Sequence, residues 1–276
     1  MLYNEIILLF GIFTLLVGYF INYKKHYLRI VGFSSLGVFW AGEAPHFILI
    51  DDYFNAALCI LTLPLFLYFA YNEFLSEKWN EDPEVMRFLS GGISIAMLIY
   101  FMIQRIPILA GGLIKAVAVQ TNWFLKLMGY EFTVSAINYG GSPLLYRANL
   151  NDIFVMIVGS DINIILACTG LQVIAAAAGL LYSTDSKTNL KLKSLVLVIP
   201  TVYIANIFRN VLVIYLTVEN ITSFSIAHNE IAKTGSVIVL VILLIGVFEI
   251  MPKFHDNIIN VIKLPKRKPT HQKQQR

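Results

Sequence analysis

Long apolar runs broken by short polar intervals recur along nearly the whole chain. Runs long enough to cross a hydrocarbon core of about 30 Å fall at roughly 4–22, 30–50, 54–72, 88–108, 166–182, 194–217 and 231–250. They predict an all-α integral membrane protein with about seven transmembrane helices. The stretch 106–130 differs, because Trp123, Phe124, Tyr130, Lys115 and Lys126 break up its apolar face. That is the pattern of an amphipathic helix lying at the interface. From 132 to 165 the pattern turns towards strands. β-favouring runs such as Ile153–Val158 are bounded by Tyr139-Gly140-Gly141-Ser142-Pro143 and by Asn149-Leu150-Asn151-Asp152, both turn formers. Residues 109–165 therefore read as an extracellular cap, an amphipathic helix plus a short β-hairpin.

Composition supports this reading. With 57% hydrophobic residues, 14% charged and a mean hydropathy of +0.70, the chain is too apolar for a soluble globular or a disordered protein. No polar stretch is long enough to fold separately, so 1–253 reads as a single polytopic membrane domain and 254–276 as a basic cytoplasmic tail. Nucleic acid is not expected as a partner. The first run has no basic segment before it and no small-residue cleavage site after it, which predicts a retained helix rather than a signal peptide.

The charges give an orientation. Lys24, Lys25 and Arg29 follow the first span, and Lys187, Lys191 and Lys193 lie between the fifth and sixth. Lys263, Lys266, Arg267, Lys268, Lys273 and Arg276 crowd the tail. The alternate loops, 43–53 and 218–230, contain Glu43, Asp51, Asp52, Glu219 and Glu230 but no Lys or Arg. The positive-inside rule then predicts an outside N-terminus and a cytoplasmic C-terminus in the cell membrane.

Candidate chemistry collects in the last third. Arg209 lies well inside the sixth run, where a charge costs about 2.5–3.5 kcal/mol on the insertion scale. Asn206 and Asn210 share its polar stripe, which predicts that the stripe faces the bundle interior. Cys168, in Ala167-Cys-Thr-Gly-Leu-Gln172, stands at the start of the fifth span beside Thr169, where unpaired N–H groups favour a thiolate. Cys59 is surrounded by Ala, Leu and Ile and reads as a small core residue. His228 lies at the entrance of the seventh run, in Ala227-His-Asn229, and the predicted topology puts it on the same side as Cys168 and Arg209. A thiol, an imidazole and a cation form an acyl-transfer set. Glu230 and Lys233, at i and i+3, are expected to pair as a weak salt link. No further ligands join the cluster at metal-binding spacing, so neither a metal nor another cofactor is expected.

The three strings, Ala167-Cys-Thr-Gly-Leu-Gln172, Asn206-Ile-Phe-Arg-Asn210 and Ala227-His-Asn229, resemble the exosortase/archaeosortase family of polytopic cysteine transpeptidases, and the Ala-Cys-Thr-Gly form leans towards its archaeal branch. The resemblance implies substrates that carry a short sorting motif, a C-terminal transmembrane helix and a basic end. It implies cleavage near that motif, coupled to lipid anchoring of surface proteins of the S-layer glycoprotein type, with a possible lipid acceptor. Cys168 would form the acyl-thioester, and Arg209 would be proton donor or oxyanion partner. At the third position the family shows a histidine or an arginine, and His228 fits the histidine pattern. An arginine is a poor proton donor at neutral pH, which favours His228 for proton transfer and Arg209 for charge stabilisation. Asn206, Asn210, Asn229 and Thr169 are the expected supporting residues. The competing expectation is a multi-pass transporter that uses the Arg/Asn stripe as a substrate path.

Overall fold

The computed structural model describes residues 2–49, 51–139 and 153–269. Among the described residues ten α-helices and four short strands follow one another: α1 (Leu2–Phe20), α2 (Lys25–Leu49), α3 (Tyr53–Trp79), α4 (Glu84–Arg105), α5 (Pro107–Leu127), β1 (Thr133–Val134), β2 (Asn138–Tyr139), β3 (Ile153–Val158), β4 (Ile162–Ile165), α6 (Leu171–Ser183), α7 (Thr188–Val218), α8 (Phe224–Ile226), α9 (Ala232–Ile250) and α10 (Pro252–Lys263). The protein is thus a helical multi-pass membrane protein with a small sheet, as the hydropathy predicts. Among the described residues, six helices are long and apolar enough to cross a membrane: Tyr3–Phe20, α3, α4, α5, α7 and the continuous stretch Phe224–Ile250.

That set differs in membership from the seven runs. α5, expected at the interface, is apolar enough to span, because its two lysines are diluted over 21 residues. α2 is long enough but carries Lys25, Arg29 and Glu43. The run 166–182 is shorter as a helix than as a hydropathy run: α6 has 13 residues and starts only at Leu171. The turn signals at 140–143 and 149–152 lie outside the described residues.

The chain divides into two compact units. The first comprises Met1–Leu98, Ala178–Lys187 and Pro252–Arg276. Its core joins Leu15 of α1, Phe33 and Leu36 of α2, and Phe66 and Phe69 of α3, all buried. Arg29, expected on a cytoplasmic loop, is only 1% exposed. Its guanidinium donates to Gly18 O at 2.9 Å, Glu73 Oε1 at 3.0 Å and Asp82 Oδ1 at 2.9 Å. His26 Nδ1 lies 2.7 Å from the other Glu73 oxygen, and Lys25 Nζ donates to Asp82 Oδ2 at 2.7 Å. Burial of these charges is tolerable because every one of them has a partner. The tail is also more structured than its composition suggests. Phe254 of α10 packs edge-on against Phe88, and Arg267 donates to Asn72 O, Ser76 Oγ and Glu81.

The second unit comprises Ile99–Ala177 and Thr188–Met251. β3 is its central strand, pairing antiparallel with β1 and β2 on one side and with β4 on the other. The alternation along β3 buries Ile153, Val155 and Ile157. These meet Ile114, Val117 and Leu125 of α5 and Ile207, Val211 and Ile214 of α7 in one apolar core. Each such fully buried side chain contributes roughly 1.5–3 kcal/mol. The β3–β4 hairpin turns through Gly159 at φ +100°, where an added Cβ would lie 2.8 Å from the Phe132 ring. The expected hairpin is present as these two strands, but its turn is Gly159-Ser160-Asp161.

Candidate functional site

The site grows out of the end of β4. Ile165 is extended (φ −114°, ψ 174°), and the chain then tightens into a 3-10 turn, Leu166–Thr169, closed by Gly170 at φ +75°. A side chain at 170 would be forced into the left-handed region, which costs about 1–2 kcal/mol for a non-glycine residue. Thr169 Oγ1 donates to Leu166 O at 2.7 Å and accepts from Leu171 N at 3.3 Å, so this buried hydroxyl stitches the turn to the first residue of α6. Cys168 therefore sits in the turn before the helix rather than at the helix start.

The location alters the expected thiol chemistry. Cys168 is half-buried, and burial pushes its thiol up from the ordinary range. The nearby Ile165 backbone N–H and the charge of Arg209 oppose that push without overcoming it. The resting group is a thiol, and thiolate formation needs a base.

α7 fixes the turn from the other side. Asn206 and Asn210, one helical turn apart, both donate through Nδ2 to the Cys168 carbonyl, the Asn210 bond measuring 2.9 Å. Two donors fill the two lone pairs of one acceptor. Residue 209, between them on the same helix, points its guanidinium at the imidazole. Arg209 Nη2 lies 3.5 Å from both His228 Nδ1 and His228 Nε2, a contact at the limit of hydrogen bonding. His228 belongs to a single π-helical turn, Ala227–Ile231, between α8 and α9. Such bulges re-aim side chains and are frequent at functional sites. The ring of Phe224 stacks on the imidazole at 5.3 Å and 22°.

Of the residues singled out by sequence, Cys168, Thr169, Asn206 and Asn210 are joined directly, and Arg209 meets His228. Asn229 is exposed and donates to Ser225 Oγ at 3.4 Å, away from the thiol turn. Among the described residues no hydrogen bond links Cys168 to His228, and Glu230 and Lys233 form no ion pair. The sequence reading missed Phe224 and the Ile165 amide. The four-residue spacing of Phe224 and His228 was the available signal for the first, whereas nothing in composition marks a backbone N–H. Beside these groups lies a groove of about 570 Å³, lined by Gln172, Asn206, Arg209, Lys233 and Ser236 amid apolar side chains of α7 and α9.

A helical membrane protein whose groove is lined by Arg209 and Asn206, the first in contact with His228 and the second bonded to the Cys168 carbonyl, defines the class: a multi-pass protein with a polar site embedded beside its helices. Residues 6–248 match the profile of the transmembrane exosortases (Exosortase_EpsH). The chain belongs to that exosortase family. It is also similar to Archaeosortase A of Haloferax volcanii, at 27% identity over 186 residues, which are 62% of this chain and 56% of that protein. The chain thus spans a little over half the length of this relative. No solved structure matches it.

Proposed function

We propose that the protein is a membrane-embedded cysteine endopeptidase and transpeptidase that removes C-terminal sorting signals from membrane-anchored surface proteins. The observation that supports this most is the double clamp on the Cys168 carbonyl by the helix that carries Arg209. It ties the position of the thiol to that of the cation and, through Arg209, to His228. The substrate's own helix would bring a peptide bond to the groove by lateral diffusion, with the site on the outer face, the N-terminus outside and the C-terminal end in the cytoplasm.

In this mechanism His228 takes the Sγ proton as the thiolate attacks the peptide carbonyl. The step requires the imidazole and Sγ to come within hydrogen-bonding reach in the substrate complex, where catalytic bonds tighten. Arg209 stabilises the oxyanion. Collapse breaks the C–N bond, and the imidazolium returns the proton to the leaving amine. A Cys168 thioester remains and is released by an amine or lipid-borne nucleophile, or by water. Asn206, Asn210 and Thr169 hold the turn in place, and Asn229 supports the π-helical segment.

Replacing Cys168 by Ala, with Cys59→Ala as control, tests the proposal. Precursors of surface proteins should accumulate uncleaved in the first strain only. Normal processing in the Cys168→Ala strain would sink it. A transporter reading, with Arg209 and the asparagines as its path, requires indifference to Cys168 and is separated by the same variant.

A further inference from the structure

Backbone directions in the sheet show what lies upstream of the thiol. Met156 of β3 spends both backbone groups on the β1 side: its N–H donates to Ser135 Oγ at 2.9 Å, and its C=O accepts from Ser135 N at 3.0 Å. Backbone groups alternate sides along a strand, so Val155 and Ile157 face β4. Their partners are Ile164 and Ile162. Asn163 consequently turns its N–H and C=O groups, and Ile165 its N–H, away from β3 towards the outer edge of β4, while the Ile165 C=O closes the 3-10 turn that follows. Among the described residues no strand pairs with that edge. Asn163 is exposed and Ile165 half-buried.

This edge leads to the nucleophile. The Ile165 N–H is near enough to Cys168 to favour the charged form of its thiol, so the last outward-facing N–H of β4 lies beside the nucleophile. The three residues after Ile165 form the turn that carries Cys168. At four residues β4 is short, itself one way natural edges are blunted, but it carries no Lys or Pro that would oppose an added strand.

Resting on the reading of Cys168 as nucleophile, we infer that the outer edge of β4 is the docking site for the substrate's sorting segment, which binds as an added extended strand. Main-chain bonds from Asn163, whose N–H and C=O both face outward, supply register. A strand advancing about 3.3 Å per residue past Asn163 and Ile165 brings its next carbonyl to Cys168 Sγ. There the Ile165 N–H becomes available to the oxyanion beside Arg209. The ligand class is an extended peptide recognised first through its backbone. Its side chains would then be selected by alternate positions on the less buried face shared by Asn163, Ile165, Phe154 and Met156.

The test uses the full-length chain in its own membranes and the surface-protein precursors that accumulate in the Cys168→Ala strain. Asn163→Pro deletes one outward N–H, a substitution that edge strands tolerate. Processing should slow roughly tenfold, while alkylation of Cys168 by iodoacetamide keeps its wild-type rate. Normal processing in Asn163→Pro would overturn the docking site yet leave the cysteine chemistry standing. If no precursor accumulates in Cys168→Ala, it is the underlying function that fails. A photo-crosslinking benzoylphenylalanine at 163 in the Cys168→Ala background decides independently of any folding defect in the proline variant. A covalent adduct with a precursor supports the inference. An adduct with a second copy of this chain, or none, refutes it.

Discussion

Asn210→Asp is the most exacting perturbation of the site. The side chain is 4% exposed, and its Nδ2 donates to the Cys168 carbonyl at 2.9 Å. Asp has the same shape but offers lone pairs where the carbonyl needs a donor. Simple truncation, Asn210→Ala, removes one bond while Asn206 still serves the carbonyl, at a cost of about 0.5–1.5 kcal/mol. The Asp variant keeps the volume but sets acceptor against acceptor, and a buried polar group left without a partner costs about 1–3 kcal/mol. Despite its better fit, Asp should therefore be worse than Ala. Replacing both asparagines by Ala strips the carbonyl entirely. The double variant should lose about 1 kcal/mol more than the sum of the single losses. The assay is reversible unfolding of the full chain in mixed micelles, read on all four members of the cycle and on the Asp variant. Wild-type stability in Asn210→Asp, or strict additivity in the cycle, would refute the clamp.

Two further outcomes follow from buried charge. In a Cys59→Ala background, iodoacetamide labelling of Cys168 should rise with pH to a midpoint above the ordinary thiol value of about 8.5. The sign follows from burial favouring the neutral form, with Arg209 pulling partly the other way. Arg209→Gln should move the midpoint higher still, and a midpoint below 8.5 in the parent would contradict this account. In the first unit, Arg29→Met leaves the wholly buried Glu73 short of its main cation and should cost about 3–5 kcal/mol. Folded yield in detergent would report it. Adding Glu73→Leu should recover part of the loss, and no recovery would mean that packing rather than charge dominates there.

Much of the architecture is legible in the sequence because lipid imposes a strong constraint: a spanning segment must satisfy its backbone internally, and so appears as a long apolar run. α1, α3, α4, α7 and α9 were visible for that reason. Hydropathy was less able to rank α2, α5 and α6, whose length, charge and helical extent depend on what they pack against. Arg29 shows the limit most clearly. In sequence it counts as a loop cation, yet Glu73, Asp82 and the Gly18 carbonyl stabilise it in the interior, and those partners are 11 to 53 positions away along the chain.

The site divides in the same way. Sequence by itself determined which groups were chemically conspicuous, because an arginine with two asparagines in an apolar run, a cysteine in a Thr-Gly turn and a histidine at a helix entrance are local facts. It could not decide their geometry. The convergence of Asn206 and Asn210 on a carbonyl 38 and 42 residues earlier, the π-helical turn that aims His228 and the outward face of β4 arise from packing between elements distant in the chain. Backbone N–H and C=O groups are the same at every residue, so only tertiary structure distinguishes those left facing outward along β4.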